Sequence, residues 1–197
     1  MSDLFVGNTV LILVDVQKGG DGAIPHMDGA EDRLPNILRV LAGARETGIP
    51  RVFFQEAHRR SMVDFGRELD GVEKVHLLEG DRATELRDEL ERRPDEPLIV
   101  KRRYSCFFGT DLEILLKGLK AETLLLVGGL TDVCVHYTFV DAHQHDYRVR
   151  VVEDACTGSS WARHEAALDA MEYLQTGARR MTDEVVGALM ARARGSR

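Results

Sequence analysis

Short apolar runs alternate with amphipathic stretches along the whole chain. The first run, residues 9–14, is apolar at every position after its leading threonine. A strand that is apolar on both faces is typical of the centre of a parallel sheet, because helices cover both of its sides. Comparable runs predict five more strands, the last of them short, at residues 51–55, 97–100, 123–127, 148–152 and 178–181.

Helical periodicity fills most of the intervals between these runs. Apolar residues from Leu34 to Leu41 recur three and four positions apart, and Gly48 ends the predicted helix. Residues 56–81 show little periodicity and are predicted to form a long loop, which in a compact domain usually serves function. The same reasoning predicts further helices at residues 84–92, 111–119, 135–146, 161–174 and 182–194.

Strands and helices that alternate in this order predict an α/β fold. We expect a single domain over residues 1–197, with a mostly parallel six-stranded sheet between two layers of helices. This is a three-layer α/β/α, Rossmann-like architecture. Functional side chains of such sheets collect where the strands reach their carboxyl ends.

A cysteine lies close to one of these strand ends. The segment 128–135 follows the fourth predicted strand, opens a predicted helix and contains Cys134. Backbone N–H groups and the positive end of a helix are expected to lower the pKa of a thiol there and to stabilise an oxyanion. The alternative is a cysteine that is merely buried near the start of a helix.

An acid and an amine end two other strands. Asp15 follows the first predicted strand and Lys101 the third, so both are expected at the same edge as Cys134. Asp15 is a candidate base for the thiol proton, and Lys101 would stabilise the charges on both partners. Each residue alone is equally typical of a turn or of the surface, and it is their convergence that favours catalysis.

Composition limits the classes of protein and the cellular locations that fit this chain. The net charge of −7 excludes the basic footprint of a nucleic-acid-binding protein, and no apolar run is as long as a membrane span. The N-terminus lacks the pattern of a signal peptide. Cys106, Cys134 and Cys156 show no disulfide-framework spacing, so we expect reduced cysteines and a cytoplasmic location.

Three segments together resemble the isochorismatase-like cysteine hydrolase superfamily. They are residues 11–17 (LILVDVQ), 100–107 (VKRRYSCF) and 128–135 (GGLTDVCV). The resemblance covers nearly the whole chain and implies the isochorismatase-like fold with Asp15, Lys101 and Cys134 as the catalytic triad. It also implies a cis peptide between Gly129 and Leu130, which would direct the N–H of Leu130, with that of Cys134, toward the substrate oxygen.

The superfamily holds several chemistries. Members that cleave isochorismate, a vinyl ether, resemble this chain around Lys101 and Tyr104 but typically lack the cysteine. The presence of Cys134 therefore favours hydrolysis of a small amide or ureido C–N bond through a thioester, with vinyl ether hydrolysis as an alternative. A redox-sensing or binding protein, or a purely structural subunit, is the non-enzymatic alternative.

Metal binding distinguishes branches of the superfamily. Nicotinamidases bind a metal through Asp-x-His and a later histidine, and this chain has Glu56, His58 and His76 at the corresponding places. These residues would suit a divalent cation such as Zn²⁺. Because Glu56-x-His58-Arg59 looks more like the metal-free amidases that act on ureido compounds, we expect no cofactor, with the metal as the alternative.

Several weaker expectations complete the site. Gln17, Tyr104, Phe107 and Trp161 are candidate substrate-binding residues, and Cys106 is the rival nucleophile. The expected partner is a small amide or ureido substrate, with neither nucleic acid nor a membrane. Similar proteins often form homo-oligomers, so the resemblance implies a homodimer or a homotetramer.

Overall fold

The computed structural model describes residues 4–19 and 22–195, and six parallel strands form its sheet. The strands lie in the order β3-β2-β1-β4-β5-β6, so β1 and β4 are central. The prediction of a six-stranded parallel sheet is therefore confirmed. Their bounds are β1 (Asn8–Val14), β2 (Arg51–Glu56), β3 (Leu98–Lys101), β4 (Ala121–Gly129), β5 (Arg148–Thr157) and β6 (Arg179–Arg180).

Five α-helices cover the two faces of the sheet and produce the three predicted layers. Helices α1 and α5 pack on one face, and α2, α3 and α4 pack on the other. A π-helical turn, Thr131–Val135, joins β4 to α3. The helices are α1 (Leu34–Glu46), α2 (Leu112–Gly118), α3 (His136–Gln144), α4 (Trp161–Leu174) and α5 (Thr182–Gly195).

Strand β1 shows why the apolar runs become central strands. Val10, Ile12 and Val14 belong to the core beneath α2, α3 and α4. Leu11 and Leu13 point the other way, into the core beneath α1 and α5. All five side chains are buried, so the strand is stable only with helices on both sides.

One predicted helix is wrong. Residues 84–92 form no α-helix, and this stretch contains the last residue of one 3₁₀ turn, Arg82–Thr84, and the whole of another, Asp88–Leu90. Its backbone pairs instead with the chain that follows β1: Lys18 N–H donates to the carbonyl of Glu85, and Arg87 N–H donates to that of Val16. These tertiary hydrogen bonds replace the local bonds of a helix.

Among the described residues, no helix has both the length and the apolar character needed to cross a bilayer. The long segment predicted at residues 56–81 contains one 3₁₀ turn, Glu68–Asp70, and no α-helix. It packs Phe65, His76 and Leu77 into the interior near the carboxyl ends of the strands.

A glycine permits the close approach of β1 and β4 where both strands end. Gly128 pairs with Val14, and its φ of +114 lies in the region that favours glycine. A Cβ atom at this position would lie 2.0 Å from the carbonyl oxygen of Val14. Because Asp15 follows Val14 and Cys134 follows Gly128 by six residues, this contact sets the separation of the acid and the sulfur.

We expect Gly128→Ala to destabilise the fold by about 3 kcal/mol or more, because it combines a backbone clash with an unfavourable φ. Urea denaturation of the purified variant measures this change. The matched control is Gly187→Ala in α5, where a Cβ meets nothing within 4 Å. The control should be stabilised by about 0.5–1 kcal/mol, and equal effects at both positions would contradict the account.

Candidate active site

The ammonium group of Lys101 lies at the centre of the candidate site. Its Nζ is 2.8 Å from Oδ2 of Asp15 and 3.4 Å from Sγ of Cys134. The side chain is fully buried, and Nζ also donates to the carbonyl of Arg103 at 3.0 Å. The three residues predicted from separate strand ends are thus brought together.

Glu56 is a fourth member of this group. It ends β2, pairs with Lys101 across the sheet and places Oε2 2.7 Å from Nζ of Lys101. The same oxygen lies 3.4 Å from Sγ of Cys134. The sequence does not predict Glu56 as a partner of Lys101, although a charged side chain at a strand end is the same signal that identifies Asp15 and Lys101.

Asp15 and Cys134 occupy special backbone positions. Asp15 follows β1 with φ at +49, in the left-handed region, and Cys134 lies within the π-helical turn after β4. The reactive atoms of Asp15, Glu56 and Cys134 all lie within 4.8 Å of one another. Proton transfer between a carboxylate and the thiol therefore needs little rearrangement.

The expected low pKa of Cys134 is wrong. Burial raises the pKa of this thiol well above its ordinary value, and the adjacent carboxylates of Glu56 and Asp15 raise it further. The charge of Lys101 opposes this shift without reversing it. A helix start favours a thiolate only when burial and nearby anions do not outweigh it. Cys134 therefore rests as a thiol that must lose its proton to react.

The two carboxylates have opposite pKa shifts. Burial raises the pKa of Asp15 to about 6, despite the charge of Lys101. For Glu56, burial is outweighed by Lys101 and by hydrogen bonds from His58 and His76, which hold its pKa well below the usual range. Asp15 can thus exchange a proton near neutral pH, whereas Glu56 stays ionised.

The same environment keeps Lys101 charged. Burial alone would lower the pKa of its ammonium, but Asp15 and Glu56 outweigh that effect and raise the pKa well above the ordinary value. A buried ammonium with two carboxylates is compensated, whereas an isolated one would be very costly.

A cavity of about 470 Å³ opens onto this group. Asp15, Glu56 and Cys134 line it, as do Gly129 and Leu130. The peptide between Gly129 and Leu130 is cis, as the resemblance implies. No hydrogen-bond partner of the Leu130 N–H is found in the part of the chain that the structure describes, which leaves it available to a substrate oxygen.

The structure revises three of the four candidate substrate-binding residues. Gln17 lines the cavity, but its amide bonds the backbone of Glu56 and of Thr84, so it positions Glu56. Among the described residues, neither Phe107 nor Trp161 lines the cavity.

Packing partners elsewhere explain both positions. Phe107 stacks on His145, with ring centroids 5.2 Å apart, and packs against the core. Trp161 is half exposed beneath the guanidinium of Arg33. Tyr104 does line the cavity, and its candidacy stands.

The other cysteines are poor nucleophiles. Cys106 and Cys156 are both fully buried, and the loss of hydration raises the pKa of each thiol. Among the described cysteines, only Cys134 lines the cavity. The rival nucleophile Cys106 is thus shielded from substrate.

A second cluster lies directly behind Glu56. Nε2 of His58 and Nε2 of His76 are each 3.2 Å from Oε1 of Glu56, and Glu68 places Oε2 3.2 Å from His58. The possible ligand atoms of these four residues lie within 4.8 Å of one another. Glu68 was not foreseen, because it lies on a 3₁₀ turn in the aperiodic segment.

This cluster fits a divalent cation. Nδ1 of His76 faces the carbonyl of Lys74 at 2.6 Å, an outer contact that would direct the Nε2 lone pair inward. Oε1 of Glu68 is buried without a hydrogen-bond partner among the described residues, and Oε2 is held by the ion pair with His58. Carboxylate and imidazole are common ligands of Zn²⁺.

Without a cation, protonated imidazoles balance the charge. Burial opposes a charge on His58, but the carboxylates of Glu56 and Glu68 outweigh it and raise the pKa to about 9. The pKa of His76 is also raised, because Glu56 and the Lys74 carbonyl outweigh burial.

Glu56→Gln should separate thiol reactivity from turnover. Removing this carboxylate lowers the pKa of Cys134, so alkylation by iodoacetamide at pH 8 should accelerate by about tenfold for a shift of one unit. Hydrolysis should fall by about 10²-fold, because Lys101 and the sulfur lose a shared contact. The rate of alkylation against pH gives the pKa directly.

The control for this change is Glu79→Gln. Glu79 lies in the same long segment but is exposed and pairs with Arg102, outside the site. It should leave both rates unchanged. Slower alkylation of Glu56→Gln would contradict the assigned electrostatics.

Comparisons with known proteins agree with this geometry. The sequence model described as the isochorismatase domain matches residues 9–184. A probable inactive nicotinamidase of Arabidopsis thaliana is 33% identical over 175 residues, which cover 85% of this chain and 89% of that protein. A ureidoacrylate amidohydrolase, RutB, of Agrobacterium fabrum is 29% identical over 170 residues, 75% of each chain.

A solved structure shows the same fold. An isochorismatase-like hydrolase from Alkaliphilus metalliredigens superposes with a TM-score of 0.82 at 27% identity, over 92% of this chain and 99% of that one. The three segments that carry the triad all fall within the matched residues 9–184. This chain therefore belongs to the isochorismatase domain family, among relatives that include amidohydrolases.

Proposed function

We propose that this protein is a cysteine-dependent hydrolase that cleaves a small amide or ureido C–N bond through a thioester. The observation that carries the proposal is the contact of Lys101 with both Asp15 and Cys134 beside a cavity. Family membership alone does not decide activity, because one relative is named as a probable inactive nicotinamidase.

The first half of the reaction forms the acyl-enzyme. Asp15 accepts the Cys134 proton as the sulfur attacks the substrate carbonyl, and the N–H groups of Leu130 and Cys134 donate to the oxyanion. Asp15 then returns that proton to the nitrogen of the leaving group. The C–N bond breaks, the amine or ammonia departs, and a thioester on Cys134 remains.

The second half releases the acid. Asp15 takes a proton from water, whose oxygen attacks the thioester carbonyl. Collapse of the intermediate breaks the C–S bond, and the Cys134 thiolate regains a proton from Asp15. The pKa of Asp15, raised to about 6 by burial, suits a group that accepts and donates in turn near neutral pH.

Lys101 and Glu56 support these transfers without exchanging protons themselves. Lys101 stays charged and stabilises the sulfur as negative charge develops on it. Glu56 stays ionised and holds Lys101 against the sulfur. All three cysteines are free thiols, as expected of an enzyme that acts in a reducing compartment.

A metal-assisted hydrolase is the second candidate, favoured by the buried Oε1 of Glu68, which has no hydrogen-bond partner among the described residues. Glu56, His58, Glu68 and His76 would hold the divalent cation, such as Zn²⁺. When bound, the cation would supply a Lewis acid for the substrate carbonyl. Glu56 would then face the cluster with its Oε1 atom and keep its contact with Lys101 through its Oε2 atom.

The acyl-enzyme is the most direct test of the main proposal. Rapid quenching and intact-mass measurement during turnover should show a covalent adduct in the wild type and none in Cys134→Ala. Asp15→Asn should lose about 10²–10⁴-fold in kcat/KM, the usual contribution of a general base. An ammonia-release screen over primary amides and ureido compounds finds the working substrate.

Cys106→Ala is the matched control for the adduct, since it removes a fully buried thiol outside the cavity. It should retain both the adduct and activity. Hydrolysis that survives in Cys134→Ala would overturn the proposal.

Metal content tests the second candidate independently of activity. Protein purified after growth with zinc should contain about one equivalent by elemental analysis, and Glu68→Gln should weaken retention by about 10–100-fold. His143→Ala, on α3 and outside the cluster, is the control. A wild-type content no higher than that of His58→Ala would exclude the cation site.

A further inference from the structure

The charges along the cavity wall indicate what kind of substrate it accepts. Lys18 and Arg87 both line the cavity. Lys18 Nζ is 2.7 Å from Glu85 and 2.9 Å from Asp88. Arg87 is 2.6 Å from Glu31 and 3.7 Å from Glu89. Each cation already has two carboxylate partners, so a substrate anion would have to compete with them.

The imidazole of His76, which also lines the cavity, has partners as well. Its two ring nitrogens are occupied by Glu56 and by the carbonyl of Lys74. Lys101 is committed to Asp15 and Glu56 behind the cavity floor. Because each of these four side chains already has a partner, a carboxylate on the substrate would have to compete with that partner, which is costly away from water.

Glu73 is the opposite case. Its carboxylate lines the cavity and is half buried, yet it makes no ion pair or hydrogen bond with any of residues 4–19 or 22–195. Loss of hydration raises its pKa, an effect that His76 only partly offsets. Asp15 and Glu56 also line the cavity, but both are ion-paired to Lys101.

The surrounding wall would strengthen an interaction with Glu73. Apolar side chains make up much of the cavity, among them Ile24, Met27, Leu77 and Val133. A charge pair bordered by such groups is screened less than one in water. Tyr104 also lines the cavity, and burial raises the pKa of its hydroxyl, with a further increase from the charge of Glu73.

We infer that Glu73 selects amide or ureido substrates that carry a positively charged amine near the scissile carbonyl, and that the cavity rejects substrates bearing a carboxylate. The inference rests on the proposed function. It separates this chain from its Agrobacterium fabrum relative, whose named substrate, ureidoacrylate, contains a carboxylate.

Three matched amides test the preference. β-Alaninamide carries an ammonium group, butyramide is its neutral counterpart, and succinamate carries a carboxylate. We expect kcat/KM of the wild type to be at least about tenfold higher for β-alaninamide than for butyramide, and lowest for succinamate. The ureido series of 2-aminoethylurea, propylurea and 3-ureidopropionate should rank in the same order.

Substitution of Glu73 assigns the preference to this residue. Glu73→Gln should abolish the advantage of the cationic amide while leaving kcat/KM for butyramide within about twofold. Glu73→Lys should shift the preference toward succinamate. Glu122→Gln, an exposed acid at the amino-terminal end of β4, is the control and should change nothing.

Labelling of Cys134 provides a readout that needs no turnover. Cationic and anionic methanethiosulfonates of similar size react with the thiol, and the cation-to-anion rate ratio should fall about tenfold in Glu73→Gln. An unchanged ratio, or faster hydrolysis of succinamate by the wild type, overturns the inference. Hydrolysis of all three amides at equal rates with an adduct on Cys134 overturns it while leaving the proposed function intact.

Discussion

The ammonium of Lys101, buried between two carboxylates and a sulfur, is the interaction on which the site depends. One positive and two negative charges leave a net negative charge beside Cys134. Ionising the thiol would add another negative charge at a buried position, so the thiol keeps its proton at rest. Its proton must pass to a neighbour during attack. Asp15 is suited to this because burial places its pKa at about 6.

Glu56 extends this interaction into the long segment between β2 and β3. One oxygen contacts Lys101 and the other faces the two histidines. Gln17 bonds the backbone on both sides of Glu56 and thereby links the chain after β1 to the end of β2. The aperiodic segment 56–81 therefore folds around Glu56, so a change in its conformation would also change the position of the Glu56 carboxylate beside Lys101.

The sequence predicts most of the fold because the apolar runs report burial directly. It also places Asp15, Lys101 and Cys134 together, since the carboxyl ends of parallel strands share one edge.

The helix predicted at residues 84–92 does not form, because the backbone there bonds to the chain after β1, a tertiary contact with no periodic signal. The prediction of a low pKa for Cys134 was wrong because burial of the thiol and its contact with Glu56 both raise the pKa, and neither can be read from the sequence. Trp161 and Phe107 looked like pocket residues by type alone, but packing partners elsewhere hold them.

Direct observation of the Lys101 ammonium tests the central claim most sharply. The chain has five lysines, so ¹⁵Nζ resonances can be assigned with a Lys101→Arg variant as the reference. The account predicts that Lys101 remains protonated through pH 11, beyond the ordinary lysine pKa of about 10.4, because Asp15 and Glu56 stabilise its charge. Deprotonation of Lys101 below about pH 10 in the folded protein would contradict the account.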